Sequence, residues 1–192
     1  MSSDEPSLTM LLVSFGLLIV ASAYFSSSET GMMSLNRYRL KHLARNDHAG
    51  ASRASKLLET PDKLIGVILI GNNFVNFLAA SIATTIAIQI FGEPSPLITA
   101  VVLTLVVLIF AEVTPKTIAA LYPEKIAYPS SLILILLLKI LYPVVWMVNV
   151  VSNALVRVLG FNSESDDSHQ QLSAEELRTV VYESGERLPR RR

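Results

Sequence analysis

The stretch from about Pro96 to Leu121 is apolar over nearly its whole length and carries an acid inside it. A bilayer core is crossed by ~20 apolar residues, so this stretch is long enough to be a membrane helix. Glu112 is the acid. A carboxylate at that depth costs ~2.5–3.5 kcal/mol on insertion scales, so it must face protein or water. Pro115 follows three residues later. It removes a backbone donor and leaves a carbonyl one turn back, near Ala111, without its usual partner. A carboxylate and a freed carbonyl on one turn are two hard oxygen ligands, and together they point to a cation site. The alternative is a self-neutralising pair between Glu112 and Lys116, four residues apart.

The rest of the chain suits the same solvent. Of its 192 residues 51% are hydrophobic, and the charges fall in a few blocks. The formal net charge is zero, which gives no electrostatic case for nucleic acid. The chain has no cysteine, so disulfides, thiolate metal sites and a cysteine nucleophile are excluded. The first apolar run, from about Leu8 to Phe25, follows an N-terminus with no basic residues and reads as a retained membrane helix. It continues into Ser26-Ser27-Ser28-Glu29-Thr30-Gly31. Serines that bond back onto the preceding turn bend helices, and Gly31 adds a weak point, so a kinked or π-bulged helix end is expected here.

Residues 35–63 are polar and basic, with Arg37, Arg39, Lys41, Arg45, Arg53, Lys56 and Lys63. They predict two short surface helices, and their charge predicts a cytoplasmic loop. A second span runs from about Leu64 to Ile90. It contains Asn72, Asn73 and Asn76, then Ala79, Ala83 and Ala87, a ladder of small residues that lets another helix approach closely. The turn at 91–96 has no Lys or Arg and reads as external. The expected fold is therefore an all-α integral membrane protein, with three transmembrane helices plus amphipathic juxtamembrane helices. Its N-terminus is outside and its C-terminus cytoplasmic. The juxtamembrane helices are assigned to residues 130–158, where Lys139 and Pro143 interrupt the apolar run and Tyr142 and Trp146 suit an interface, although hydropathy alone would allow a further span. The domain division is 1–158, membrane and juxtamembrane, and 159–192, a polar linker and the start of an acidic helical region. Ser173-Ala174-Glu175-Glu176 is a capping box for a short helix ending near Gly185. The last residues do not close a domain, and the chain reads as cut short.

The polar patches can be placed by depth. At ~1.5 Å rise per residue, Ser26 lies ~27 Å from the external start of span one, and Glu112 ~24 Å from that of span three. Asn72 lies ~12 Å from the cytoplasmic start of span two. All three fall in the cytoplasmic half of a core ~30 Å thick. The candidate ligands are all oxygen: the Ser26 or Ser28 hydroxyl, the Asn72 or Asn76 carbonyl, the Glu112 carboxylate and a backbone carbonyl near Ala111. Such a set favours magnesium, calcium, sodium or manganese over zinc or copper. Each part has a plainer reading: helix bending for the serines, interhelical hydrogen bonding for the asparagines, and partnership with the basic loop for Glu29. His42, His48 and His169 read as solvated surface histidines.

Three motifs, Phe25-Ser26-Ser27-Ser28-Glu29-Thr30-Gly31, Gly71-Asn72-Asn73-Phe74-Val75-Asn76 and Phe110-Ala111-Glu112-Val113-Thr114-Pro115-Lys116, occur in this order. They resemble the membrane domain of the CorC/cyclin M (CNNM) family of magnesium transporters, over roughly residues 8–185. The resemblance implies a homodimer in the lipid bilayer of the cell's inner membrane, and Mg2+ export driven by Na+ entry. It also implies that Ser26, Asn72 and Glu112 sit at the ion site, with Gly31, Asn73, Pro115 and Lys116 as further motif positions. Family members continue into nucleotide-binding CBS modules, which this chain does not contain. No GxxxxGK[ST] is present for direct ATP use. No HExxH, Ser/His pair or aspartate pair lies in the spans, which argues against an enzyme. The alternatives are a transporter of another hard cation, or a membrane anchor for a removed cytosolic regulatory region.

Overall fold

The computed structural model describes residues 7–92 and 96–159. All regular structure among them is helical. Helix α1 covers Leu8–Met33, α2 Arg37–Arg45, α3 Ala49–Leu57 and α4 Pro61–Phe91. Helix α5 (Pro96–Val106) passes into a π-helical segment, Val107–Val113, and then into α6 (Thr114–Leu121), and α7 covers Pro123–Val158.

The helix starts follow from local chemistry. Ser7 caps α1 by accepting from the Met10 amide at 3.3 Å. Asn36 caps α2, accepting from the Tyr38 and Arg39 amides at 3.0 and 3.1 Å. His48 caps α3, its Nδ1 accepting from the Ala51 amide at 3.0 Å, so this histidine has a structural task beyond being solvated. Pro61 stands in the first turn of α4, where its missing N–H costs nothing. Gly92, with φ 78°, closes that helix in a conformation that only glycine adopts without strain.

Two expectations are corrected. First, the serine-rich end of α1 contains no π segment and stays α-helical to Met33. The Ser27 hydroxyl does return to the Tyr24 carbonyl, at 3.1 Å, but the helical ladder absorbs that bond. The π segment lies in the third span, directly before Pro115. Second, residues 130–158 are not several short helices. They belong to α7, a single 36-residue helix that runs through both Pro129 and Pro143. Four helices among the described residues, not three, are long and apolar enough to cross a membrane. A proline in an apolar helix is tolerated where neighbours supply polar partners. The helix is also tied to α1, whose Tyr24 hydroxyl donates to the Ser130 carbonyl at 3.1 Å. Lys139 is exposed, so it does not interrupt packing.

Helix α1 is the central element: it packs against α4, the π segment and α6. Its contact with α4 is close because Gly71 has no side chain; a Cβ there would fall 2.5 Å from the Phe25 ring. The first half of α7 crosses α1 at Gly31, where a Cβ would meet Ile126 at 3.3 Å. It is tied to α2 by an Arg39–Glu124 ion pair at 3.0 Å and to α3 by an Arg53–Ser131 hydrogen bond at 3.2 Å. Of the alanine ladder, Ala79 is fully buried, whereas Ala83 and Ala87 border an apolar cavity of about 490 Å³ between α1, α4 and α5. The residues to Asn149 form one compact unit, and Val150 opens a second, described only to Leu159. The linker at 162–168 and the helix expected from Ser173 to Gly185 lie outside the described residues.

Candidate cation site

The polar centre of the helix packing is a serine set between two asparagines. Asn72 and Asn76 are one turn apart, so they share a face of α4. Both are half-buried. Their carbonyl oxygens converge on Ser22 of α1, whose side chain is fully buried. The Ser22 hydroxyl lies 2.7 Å from Asn76 Oδ1 and 3.1 Å from Asn72 Oδ1. A hydroxyl has one proton to donate. Two amide oxygens therefore share one donor, and their dipoles point their negative ends at one spot inside the bundle.

Ser26, one turn beyond Ser22 on the same face of α1, is 1% exposed. Its Oγ has no hydrogen-bond partner among the described residues. Buried polar groups are nearly always paired, so an orphan hydroxyl marks a place where a ligand or an ordered water belongs. Ser28 is fully buried and its Oγ also makes no hydrogen bond, but it lies near the Tyr24 hydroxyl, which serves Ser130 of α7.

The acid lies on the element opposite. The π segment packs against α1. Its buried residue is Ala111, with Glu112 half-buried beside it. Glu112 makes no ion pair or hydrogen bond with any described residue. Lys116 does not pair with it, contrary to the plainer sequence reading: the Lys116 ammonium reaches Glu29 of α1 at 3.8 Å. Glu29 thus has a lysine partner. The Thr114 amide bonds the Ile109 carbonyl, five residues back. In that register the next donor would be Pro115, facing the Phe110 carbonyl, and proline has none.

The structure brings Asn72 and Asn76 together with Ser22 and sets the Glu112 segment against the same helix. It does not join Asn73, which is exposed, or Gly31, which packs under α7. Ser22 is the member that sequence reasoning missed. It was within reach: it precedes Ser26 by four residues and so shares its face. Among the described residues no three His, Cys, Asp or Glu side chains gather. The arrangement offers neutral amide and hydroxyl oxygens, with one carboxylate on the segment that packs against the same helix, a set of donors that suits a hard cation.

Comparison with known proteins gives a family match over residues 12–190, to the cyclin M transmembrane N-terminal domain. The UPF0053 inner membrane protein YfjD of Escherichia coli is 52% identical over 170 residues, 88% of this chain and 40% of that protein. A UPF0053 protein of Haemophilus influenzae is 45% identical over 186 residues, 97% of this chain and 44% of its own length. A more distant relative, named a polyamine export protein of Haemophilus influenzae, is 25% identical over 182 residues, 88% of this chain and 41% of that protein. The chain thus spans less than half the length of these curated relatives.

Proposed function

Because the chain belongs to the cyclin M transmembrane-domain family, we propose that it is the membrane part of a cation transporter whose substrate is Mg2+, exported in exchange for Na+. The observation that carries the reading is the convergence of the Asn72 and Asn76 oxygens on buried Ser22, one turn from the orphan Ser26 hydroxyl. Magnesium prefers oxygen ligands and gives up its water reluctantly. A buried set of carbonyls and hydroxyls can replace part of that shell, and Glu112 supplies the negative charge that neutral dipoles lack. The chain is a multi-span membrane protein, proposed to act as a homodimer in the inner membrane. The acidic helical region and CBS modules that the family resemblance implies are proposed as its regulatory partners.

A second reading is favoured by the relative named a polyamine export protein. Protonated amines are also bound by carbonyl oxygens and a carboxylate, so the same groups could take a polycation. Flux into proteoliposomes decides between them. Mg2+ movement that depends on an imposed Na+ gradient, and is absent for spermidine, supports the first reading. Spermidine movement without Mg2+ movement replaces it with the second. A chain that moves neither leaves only an anchoring role.

A further inference from the structure

Helix α2 has the sequence RYRLKHLAR, and no acid stands between Glu29 and Asp47. We propose that its free basic flank, Arg37, Lys41 and Arg45, binds the anionic lipid headgroups of the inner leaflet and docks the connection between α1 and α4 on the membrane surface. This holds whatever ion the membrane helices carry.

Three observations carry it. First, the cations of α2 are sorted. Arg39 lies on one flank, paired with Glu124 of α7 at 3.0 Å. Successive residues are ~100° apart around a helix, so Arg37, Lys41 and Arg45, at four-residue spacing, share the other flank. All three are exposed. The ion pairs among the described residues, Arg39–Glu124 and Lys116–Glu29, include none of them. A cytoplasmic loop needs only an excess of Lys and Arg, not this segregation.

Second, the flank is held at the bilayer surface. Only Ser34, Leu35 and Asn36 separate α1 from α2. Leu40, on the buried face of α2, is 2% exposed and belongs to the same core as Met32 at the end of α1 and Leu64 at the start of α4. That packing keeps α2 at the level where the membrane helices end. Tyr38, 83% exposed beside the basic flank, is a residue type that sits among headgroups. With the loop cytoplasmic, as its charge predicts, the leaflet it meets carries a negative surface potential. Third, α2 lacks an anion of its own. A helix this short is marginal, and Arg37 and Arg39 stand at the positive end of its dipole with no acid in that turn. Glu124 offsets Arg39, and a phosphate beside Arg37 would do the same there. The three cations form a row ~12 Å long, which suits a surface of several phosphates better than one free anion.

The experiment is thermal melting of the full chain in mild detergent, titrated with a short-chain phosphatidylglycerol, with phosphatidylcholine of equal chain length, or with glycerol phosphate. Phosphatidylglycerol should stabilise wild type at lower concentration than the other two. Salt at about 1 M, where the Debye length is ~3 Å, should erase the difference. Each Lys or Arg near an anionic surface is worth about a fivefold change in affinity. Arg37→Gln/Lys41→Gln/Arg45→Gln should therefore raise the half-saturating phosphatidylglycerol concentration by on the order of a hundredfold, while glutamine keeps the helix propensity. Arg37→Lys/Arg45→Lys keeps the charge and should keep the preference. If the triple variant folds poorly, Lys41→Gln alone should cost about fivefold. The proposal is overturned by a wild type that answers all three additives alike, by a preference that survives the triple substitution, or by one lost in the lysine variant. It is also overturned if wild type shows no preference but gains one when Glu164, Asp166, Asp167, Glu175 and Glu176 are neutralised, which would give the flank to the chain's own acidic stretch.

Discussion

Ser22, Asn72 and Asn76 show how far a depth argument reaches. Counting ~1.5 Å per residue from the span ends puts the α1 serines level with Asn72, but helix ends are uncertain by one or two residues. A level read in this way does not say which serine on that face makes the contact, and it is Ser22, one turn before Ser26, that reaches both asparagines. Lys116 shows a related limit, in the alternative that paired it with Glu112. Spacing suggests a partner on its own helix, but the long side chain reaches across to Glu29. Both members are well exposed, 44% and 37%, and exposed pairs contribute little. Lys116→Met should accordingly cost less than about 1 kcal/mol in thermal unfolding and leave the Mg2+ response intact. A large loss of stability would mean that Lys116 neutralises a buried acid after all. Gly71 carries the opposite expectation. Alanine there would place a methyl 2.5 Å from Phe25, which is itself buried. Gly71→Ala should destabilise the protein by about 1–3 kcal/mol, the usual cost of overpacking. Adding Phe25→Leu should recover part of it, as measured by melting in detergent.

The helices were readable where sequence offered a clean apolar run between capping and turn residues, as for α1 and α4. They were misread where one residue type has two structural outcomes. Pro143 and Lys139 looked like interruptions, yet α7 runs through them. A proline removes one hydrogen bond but does not end a helix whose other turns are held by neighbours. The serines of α1 looked like the site of a bulge. The π segment formed instead before Pro115, where the missing amide leaves the ladder without a donor. Pro115→Ala restores that donor. It should let Val107–Val113 relax toward α-helical register, turning Glu112 about 100° around the helix axis relative to the residues on one side of it. The expected result is a folded protein of unchanged helicity by circular dichroism with transport lost. Full transport in this variant would show that the π register is not needed.

For the molecule as a whole, the class, an all-helical membrane domain, was legible from the apolar runs and from three motifs in order, while the number of long apolar helices was not. How those helices are arranged across the bilayer is open to direct measurement, since the chain lacks cysteine and single cysteines can be labelled without background. With the basic loop cytoplasmic, a cysteine at Arg53 should label only from the inside and one at Gly92 only from the outside. External labelling at Arg53 would invert the arrangement. The central proposal is that Ser26, the asparagines and Glu112 together hold a cation, with Glu112 as its only charge. An ion that binds the folded state raises the melting temperature with its concentration, so the decisive measurement is that shift, in Mg2+, for wild type and Glu112→Gln. The account predicts a rise for wild type and none for Glu112→Gln, with the variant folded and equally stable without Mg2+. A folded Glu112→Gln protein that keeps the full Mg2+-dependent rise would contradict it.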